Sequence, residues 1–166
     1  MGWTLRRNAA RVVLLDQAGR VLLLRASDPA DRTKPPWWEI PGGGVEGRES
    51  SEDAARRELL EETGIADAEI GPCVWVQRAV FDFGGFHFDQ HERIHVAWCR
   101  GEVPASLRPT ALEALEALAF DGHHWWTVDE LLGSTEPLVP PRLRELLPPI
   151  VAGRLPDIPI DIGDWP

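Results

Sequence analysis

The strongest constraint on this chain is a helix-forming segment between two glycines, at positions 43 to 65. Ser50 or Ser51 can cap the helix, and the two acidic residues that follow suit the positive end of its dipole. Residues 54–60 are mostly strong helix formers, and Gly64 supplies the left-handed conformation that ends a helix. The fold must therefore place one well-defined helix directly after a glycine-rich loop.

Three glutamates emerge on one face of this helix. Glu58, Glu61 and Glu62 stand at positions i, i+3 and i+4, so their carboxylates share one side. Leu59 points away from that side, toward a core. Three clustered negative charges are unfavourable unless a cation offsets them, and Mg²⁺ or Mn²⁺ prefers carboxylate and carbonyl oxygens. The other interpretation is an ordinary solvated face, which is the usual role of a glutamate-rich run.

The residues around these glutamates have a spacing that favours the first interpretation. Nine positions match the pattern G-x5-E-x7-R-E-U-x-E-E-x-G-U, where U is a bulky aliphatic residue. This resembles the Nudix box, the motif that defines the Nudix hydrolase superfamily, here in a bacterial member. The matching residues are Gly43, Glu49, Arg57, Glu58, Leu59, Glu61, Glu62, Gly64 and Ile65.

The resemblance implies roles for residues of the box. The implied ligands of a divalent cation, Mg²⁺ or Mn²⁺, are Glu58, Glu61, Glu62 and the carbonyl group of Gly42. Arg57 is expected to orient the catalytic carboxylate, and Glu49 to bind a further metal ion or to support the loop. The glycines at 42–44 would allow the backbone to approach a ligand closely, although a plain tight turn also uses glycine.

Composition limits the class of protein. With 166 residues, of which 43% are hydrophobic, the chain fits one globular domain with a substantial core. We expect this domain to span residues 1–154, and residues 155–166 to form an extended, poorly ordered tail. A net charge of −10 argues against bulk binding to nucleic acid or to an anionic membrane. A small diphosphate substrate stays compatible, because bound metal can offset its charge.

The N-terminal segment and the cysteines indicate the compartment. The first apolar run, residues 12–15, is interrupted at Asp16, so neither a signal peptide nor a membrane span is expected. Cys73 and Cys99 lack the spacing of a redox or zinc motif and are expected to be reduced thiols. These features predict a cytoplasmic protein.

The order of apolar runs and turns predicts an α+β fold. Besides the helix of the box, helices are predicted at residues 110–119, 128–132 and 140–151. Strands are predicted at residues 10–15, 21–25, 37–40, 73–81, 86–99 (as one or two strands) and 123–127. This order agrees with the fold that the resemblance implies, a mixed β-sheet sandwiched between helices as an α/β/α sandwich.

One candidate catalytic residue lies outside the box. Many Nudix enzymes take an additional metal ligand or a general base from a later carboxylate, and Glu92 is in the corresponding region. The other interpretation is a surface acid paired with Arg93. Asp89 is the substitute for Glu92.

Three residues are candidates for substrate contacts. Trp37, or alternatively Trp75, can stack on a nucleobase, although tryptophans more often pack in a core. Arg25 and Arg78 can bind phosphate through paired N–H donors, or can be ordinary charges at a sheet edge.

The resemblance implies a hydrolase that cleaves a diphosphate bond, most often in a nucleoside diphosphate derivative. A bound metal ion would make the attacking water more acidic, and Glu58 or Glu92 would assist its deprotonation. Residues 80–83 contain neither the proline associated with ADP-ribose enzymes nor the tyrosine associated with dinucleoside polyphosphate enzymes. The sequence therefore does not identify the substrate. Because Nudix relatives are often dimers, a homodimer is one expectation.

Two alternatives belong to other functional classes. One is a regulatory Nudix domain that binds a nucleotide without hydrolysing it, although such domains often lose the metal-binding glutamates. The other is an isoprenoid diphosphate isomerase, whose chemistry requires a cysteine at the carbon skeleton. Neither Cys73 nor Cys99 lies in a recognisable motif for that reaction.

Overall fold

One mixed β-sheet organises the computed structural model, which describes residues 3–103, 106–109 and 114–165. The strands are β1 (Thr4–Leu15), β2 (Val21–Ala26), β3 (Trp37–Glu39), β4 (Gly42–Gly44), β5 (Ala68–Phe83), β6 (Phe86–Cys99), β7 (Phe120–Trp126), β8 (Leu138–Val139) and β9 (Ile160–Trp165). The helices are α1 (Ser51–Thr63), α2 (Ala114–Ala119), α3 (Val128–Gly133) and α4 (Leu143–Val151). The strand order is β8-β3-β2-β1-β6-β5-β9, with β4 paired to β1 and β7 paired to β2.

The central strand β1 supports the glycine loop. It pairs in parallel with β6, from Thr4 opposite His87 to Leu15 opposite Trp98. It also pairs antiparallel with β4, where Gly42 lies opposite Arg11. A Cβ atom at position 42 would approach the backbone oxygen of Ala10 to 2.4 Å, so only glycine fits here. This close contact fixes the loop against the sheet, directly before α1.

Alternate residues of β1 face two hydrophobic cores, as expected for a strand buried on both sides. Val13 packs with Leu143 and Leu147 of α4 and with Leu131 of α3. Residues 12 and 14 pack on the opposite side, in the core that contains Ala54, Ala55 and Leu59 of α1. The predicted α+β architecture, with a sheet between helices, is confirmed.

Several element boundaries differ from those predicted. Strand β5 begins at Ala68, because the chain continues through Gly71 and Pro72 with irregular pairing where the apolar pattern is interrupted. Strand β6 is one continuous strand. Of the helix predicted at 110–119, residues 110–113 lie outside the described part and 114–119 form α2. Among the described residues, no helix is long and apolar enough to cross a membrane.

The C-terminal segment differs most from the expectation of a poorly ordered tail. It ends in β9, which pairs in parallel with β5, with Ile160 opposite Trp75. Ile162 is buried in the core on the α4 side, and its carbonyl group accepts a hydrogen bond from Arg142 Nη1 at 3.2 Å. Without β9 the outer edge of β5 would present unpaired backbone groups, which explains the contact. A domain boundary at residue 154 stays a prediction.

Substitution of Ile162 tests whether the C-terminal strand contributes to stability. We expect Ile162→Ala to lower the free energy of unfolding by roughly 2–4 kcal/mol, because it removes a buried aliphatic group. The matched control is Ile158→Ala, at a position that is 77% exposed, where the change should stay within about 0.5 kcal/mol. Urea unfolding measures both. If both substitutions lowered the free energy of unfolding by the same small amount, Ile162 of β9 would not contribute to the core.

Candidate active site

Helix α1 is fixed at both ends by the residues that the sequence suggested. The hydroxyl of Ser50 accepts a hydrogen bond from the Asp53 amide at 3.1 Å. Gly64 is left-handed, with φ of 78°, and its amide donates to Leu60 O at 2.8 Å. Leu59 is buried against the sheet. Because these contacts fix the rotation of the helix, Glu58 and Glu62 are directed toward the glycine loop.

Two glutamates of α1 lie in direct contact with this loop. Glu62 is 3% exposed, and its Oε2 accepts a hydrogen bond from the Gly42 amide at 3.0 Å. Glu58 is 7% exposed, and a Cβ atom at position 43 would approach its carboxylate to 2.6 Å. The absence of side chains at 42 and 43 therefore allows both carboxylates to lie against the backbone.

A third carboxylate comes from a distant part of the chain. One oxygen each of Glu58, Glu62 and Glu116 lies within 4.8 Å of the others, the one such group of three found in the described part of the chain. Burial raises the pKa of Glu58 to about 7, and burial together with the nearby Glu116 raises that of Glu62 well above its usual value. Glu58 and Glu62 are buried and Glu116 is half-buried, and three clustered carboxylates offer oxygens that suit a hard divalent cation.

Sequence reasoning did not find Glu116. Its helix was predicted from leucines at helical spacing, and nothing in that spacing relates it to the box. Only the fold brings α2 to the carboxylates of α1.

Arg57 connects the remaining acidic residues of the box. Its Nη2 donates to Glu49 Oε1 at 2.6 Å and to Gly44 O at 2.8 Å. Its Nη1 donates to Glu58 at 3.0 Å and to Glu61 at 3.1 Å. Arg57 holds the pKa of Glu49 below its usual range. Glu49 and Glu61, both predicted metal ligands, are thus paired with Arg57 and lie outside the group of three.

Glu92 is buried in a separate polar network. Its Oε1 accepts hydrogen bonds from Arg11 Nε at 3.0 Å and from Gln77 Nε2 at 2.8 Å, and its Oε2 accepts one from Gln90. It lines a smaller cavity of about 670 Å³, whereas Glu58 and Glu62 line a larger one. Asp89, the substitute for Glu92, is paired with Arg78 through two contacts of 3.0 Å.

The three clustered carboxylates lie at a cavity of about 970 Å³. Its walls include the stretch from Val80 to Phe83, which follows the box, and Trp37, whose ring meets that of Phe83 edge-on at 6.1 Å. Basic side chains at this cavity are Arg7, Arg11, Lys34 and Arg144. The cavity thus combines an acidic group with aromatic and basic walls.

Of the three residues predicted to contact substrate, one lines the larger cavity, one lines the smaller cavity and one lines neither. Trp37 lines the larger cavity, whereas its alternative Trp75 is fully buried in the core. Arg25 is paired with Asp121 at 2.9 Å and is not among the residues that line either cavity. Arg78 lies at the smaller cavity.

The two cysteines do not support isomerase chemistry. Neither Cys73 nor Cys99 is among the residues that line the larger cavity, and burial raises the pKa of both thiols.

Comparisons with known proteins agree with the motif and the fold. The NUDIX domain family model matches residues 5–149. The RNA pyrophosphohydrolase of Caulobacter vibrioides is 33% identical over 150 residues, which cover 85% of this chain and 81% of that protein. The CTP pyrophosphohydrolase of Escherichia coli is 34% identical over 119 residues, covering 63% and 85%.

A solved structure shows the same fold. The Escherichia coli dihydroneopterin triphosphate pyrophosphohydrolase matches with a TM-score of 0.60 at 18% identity, covering 87% of this chain and 94% of that one. The family match over most of the chain, together with the box and the sheet between helices, shows that the chain belongs to the Nudix family and is a Nudix pyrophosphohydrolase.

Proposed function

We propose that the protein is a Mg²⁺- or Mn²⁺-dependent hydrolase that cleaves the diphosphate of a nucleoside diphosphate derivative or a related small molecule. The observation that carries this proposal is the group formed by Glu58, Glu62 and Glu116 beside the glycine loop, at a cavity of about 970 Å³. Water would attack one phosphorus atom, the bond to the bridging oxygen would break, and two phosphorylated products would leave.

The three clustered carboxylates are the proposed metal ligands, joined by the carbonyl group of Gly42 as the resemblance implies. A divalent cation held there would offset the charge of the diphosphate and make a water molecule more acidic. We propose that Glu61 and Glu49 act one step away from the ion, because both lie outside the group of three carboxylates and are held by Arg57. Arg57 in turn donates to Glu58 and so fixes the orientation of that carboxylate.

The proton of the attacking water requires an acceptor, and the geometry favours Glu58 over Glu92. Glu58 lies at the larger cavity beside Glu62 and Glu116, within the proposed metal group, where the attacking water would be activated. The carboxylate of Glu92 already accepts hydrogen bonds from Arg11, Gln77 and Gln90. Glu92 is 1% exposed, and both of its oxygens are already occupied by these donors.

A small nucleotide suits the cavity better than an RNA chain does. Relatives are named for RNA and for CTP, and CTP is itself a small nucleoside triphosphate. The aromatic rings of Trp37 and Phe83 offer a surface for a flat base. The net charge of −10 disfavours binding along a polyanion. We therefore propose a free nucleotide or nucleotide conjugate as substrate.

A substrate panel tests the hydrolase directly. Loss of substrate and formation of its two phosphorylated products are measured by chromatography, with Mg²⁺ or Mn²⁺, for nucleotides, nucleotide sugars and a 5′-triphosphorylated RNA oligonucleotide. We expect strong turnover of a small nucleotide, reduced roughly a thousandfold or more by Glu58→Gln. The control is Glu145→Gln, an exposed acid of α4. Silence across the panel combined with tight nucleotide binding would instead favour the regulatory alternative.

Two substitutions distinguish the metal ligands that the structure favours from those that the motif alone favours. We expect Glu116→Gln to weaken Mn²⁺ binding by roughly tenfold or more, because it removes one carboxylate of the group. Glu61→Gln should change the affinity by about threefold or less, because Glu61 lies outside the group of three carboxylates. Titration followed by electron paramagnetic resonance measures both, with the exposed Glu52→Gln as control. A larger effect at Glu61 than at Glu116 would refute the proposed ligand set.

A further inference from the structure

Arg11 is a buried arginine that the box does not contain and that no role above requires. It lies on β1 opposite Gly42 and is 7% exposed. Its Nε donates to Glu92 at 3.0 Å. Its Nη1 donates to Glu39 Oε2 at 3.4 Å and to Ile40 O at 3.3 Å. Hydrogen bonds from two of its three nitrogens therefore fix the plane of the guanidinium.

The third nitrogen of this guanidinium differs from the other two. Among the residues that the structure describes, none accepts a hydrogen bond from Arg11 Nη2. Arg11 lines the larger cavity together with Gly42, Glu58 and Glu62. Because a guanidinium has five N–H donors in a rigid fork, fixing Nε and Nη1 also fixes the direction of the two donors on Nη2.

The aliphatic part of Arg11 is fixed as well. A Cβ atom at position 42 would lie 2.6 Å from both the Cα and the Cγ atoms of Arg11, so the glycine backbone covers the stem of the side chain. The same glycine donates its amide to Glu62. Gly42 is therefore in contact both with the stem of Arg11 and with Glu62 of the acidic group.

We propose that Arg11 binds a non-bridging oxygen of the substrate's diphosphate through Nη2, and that Glu39 and Glu92 hold the guanidinium in position for this contact. The proposal rests on the diphosphate hydrolase function proposed above. Two carboxylates already offset the charge of Arg11, so the interaction depends on directed N–H donors more than on net charge. Such donors, fixed in place before the substrate binds, need no reorganisation when it arrives.

This assignment gives Glu92 a function different from that of a general base. If Glu92 is a positioning residue, its loss should weaken the binding of a diphosphate that does not react. If it is the base, its loss should leave that binding unchanged and lower only the rate of the chemical step.

The experiment measures two affinities on each variant: that for Mn²⁺ alone, and that for methylenediphosphonate, a non-hydrolysable diphosphate, in the presence of Mg²⁺. The variants are Arg11→Lys, which keeps the charge without the fork, and Glu92→Gln, which keeps the shape. The matched control is Arg100→Lys, whose arginine is exposed and paired with Glu69. Isothermal titration calorimetry provides both affinities without turnover.

We expect Arg11→Lys to weaken methylenediphosphonate binding by at least about tenfold, the factor for one lost hydrogen bond to a charged group. Its Mn²⁺ affinity should stay within roughly twofold, because its charge is kept. Glu92→Gln should weaken methylenediphosphonate binding in the same direction, and Arg100→Lys should leave both affinities unchanged. Arg11→Lys changes a buried ion pair. If this variant fails to fold, the double variant Arg11→Met with Glu92→Gln, which removes both charges of the pair, supplies the same readout.

Unchanged methylenediphosphonate binding in folded Arg11 variants would overturn the proposal for Arg11 and leave the metal site intact. Unchanged binding in Glu92→Gln would overturn the positioning role of Glu92. A wild-type protein that bound no Mn²⁺ would instead overturn the proposed function on which both assignments rest.

Discussion

The close contact between the glycine loop and its two neighbours, β1 and α1, is the constraint on which the site depends. At position 42 the backbone packs directly on Ala10 and Arg11, and at position 43 it packs on the carboxylate of Glu58. These contacts require glycine because any side chain would overlap with backbone or carboxylate atoms. They bring acidic side chains into a buried position that an isolated helix would leave in water. The unusual burial of these acids is therefore a consequence of the loop.

Two arginines divide most of the acidic residues of the site between them. Arg57 pairs with Glu49 and Glu61, and also with Glu58. Arg11 pairs with Glu39 and Glu92 inside the sheet. The carboxylates that lie together at the cavity, on α1 and α2, form the group suited to a cation. Buried charges are costly unless they are paired or bind metal. Under the proposed function, a metal ion would offset the charge of this group.

Sequence reasoning succeeded where the information is local. The caps of α1 and the shared face of Glu58 and Glu62 follow from spacing within one helix, and the contact of Arg57 with Glu58 agrees with the role that the resemblance to the Nudix box implies. It failed where the fold brings distant segments together, as for Glu116 on α2 and for Arg11, whose partners lie on other strands. The C-terminal strand was missed for the same reason, because only the open edge of β5 gives that segment a partner. Arg25 and Arg78 were plausible by residue type, but their strands place them with Asp121 and Asp89.

The most direct test of the account is to locate Mn²⁺ by anomalous scattering from crystals of the protein grown or soaked with the ion. The account predicts a peak within about 2.2 Å of carboxylate oxygens of Glu58, Glu62 and Glu116, at the distance typical of such ions. A peak bound instead by Glu61 and Glu49, with Arg57 displaced, would contradict the division of acids described above. So would a peak at Glu92, because that carboxylate is assigned to Arg11.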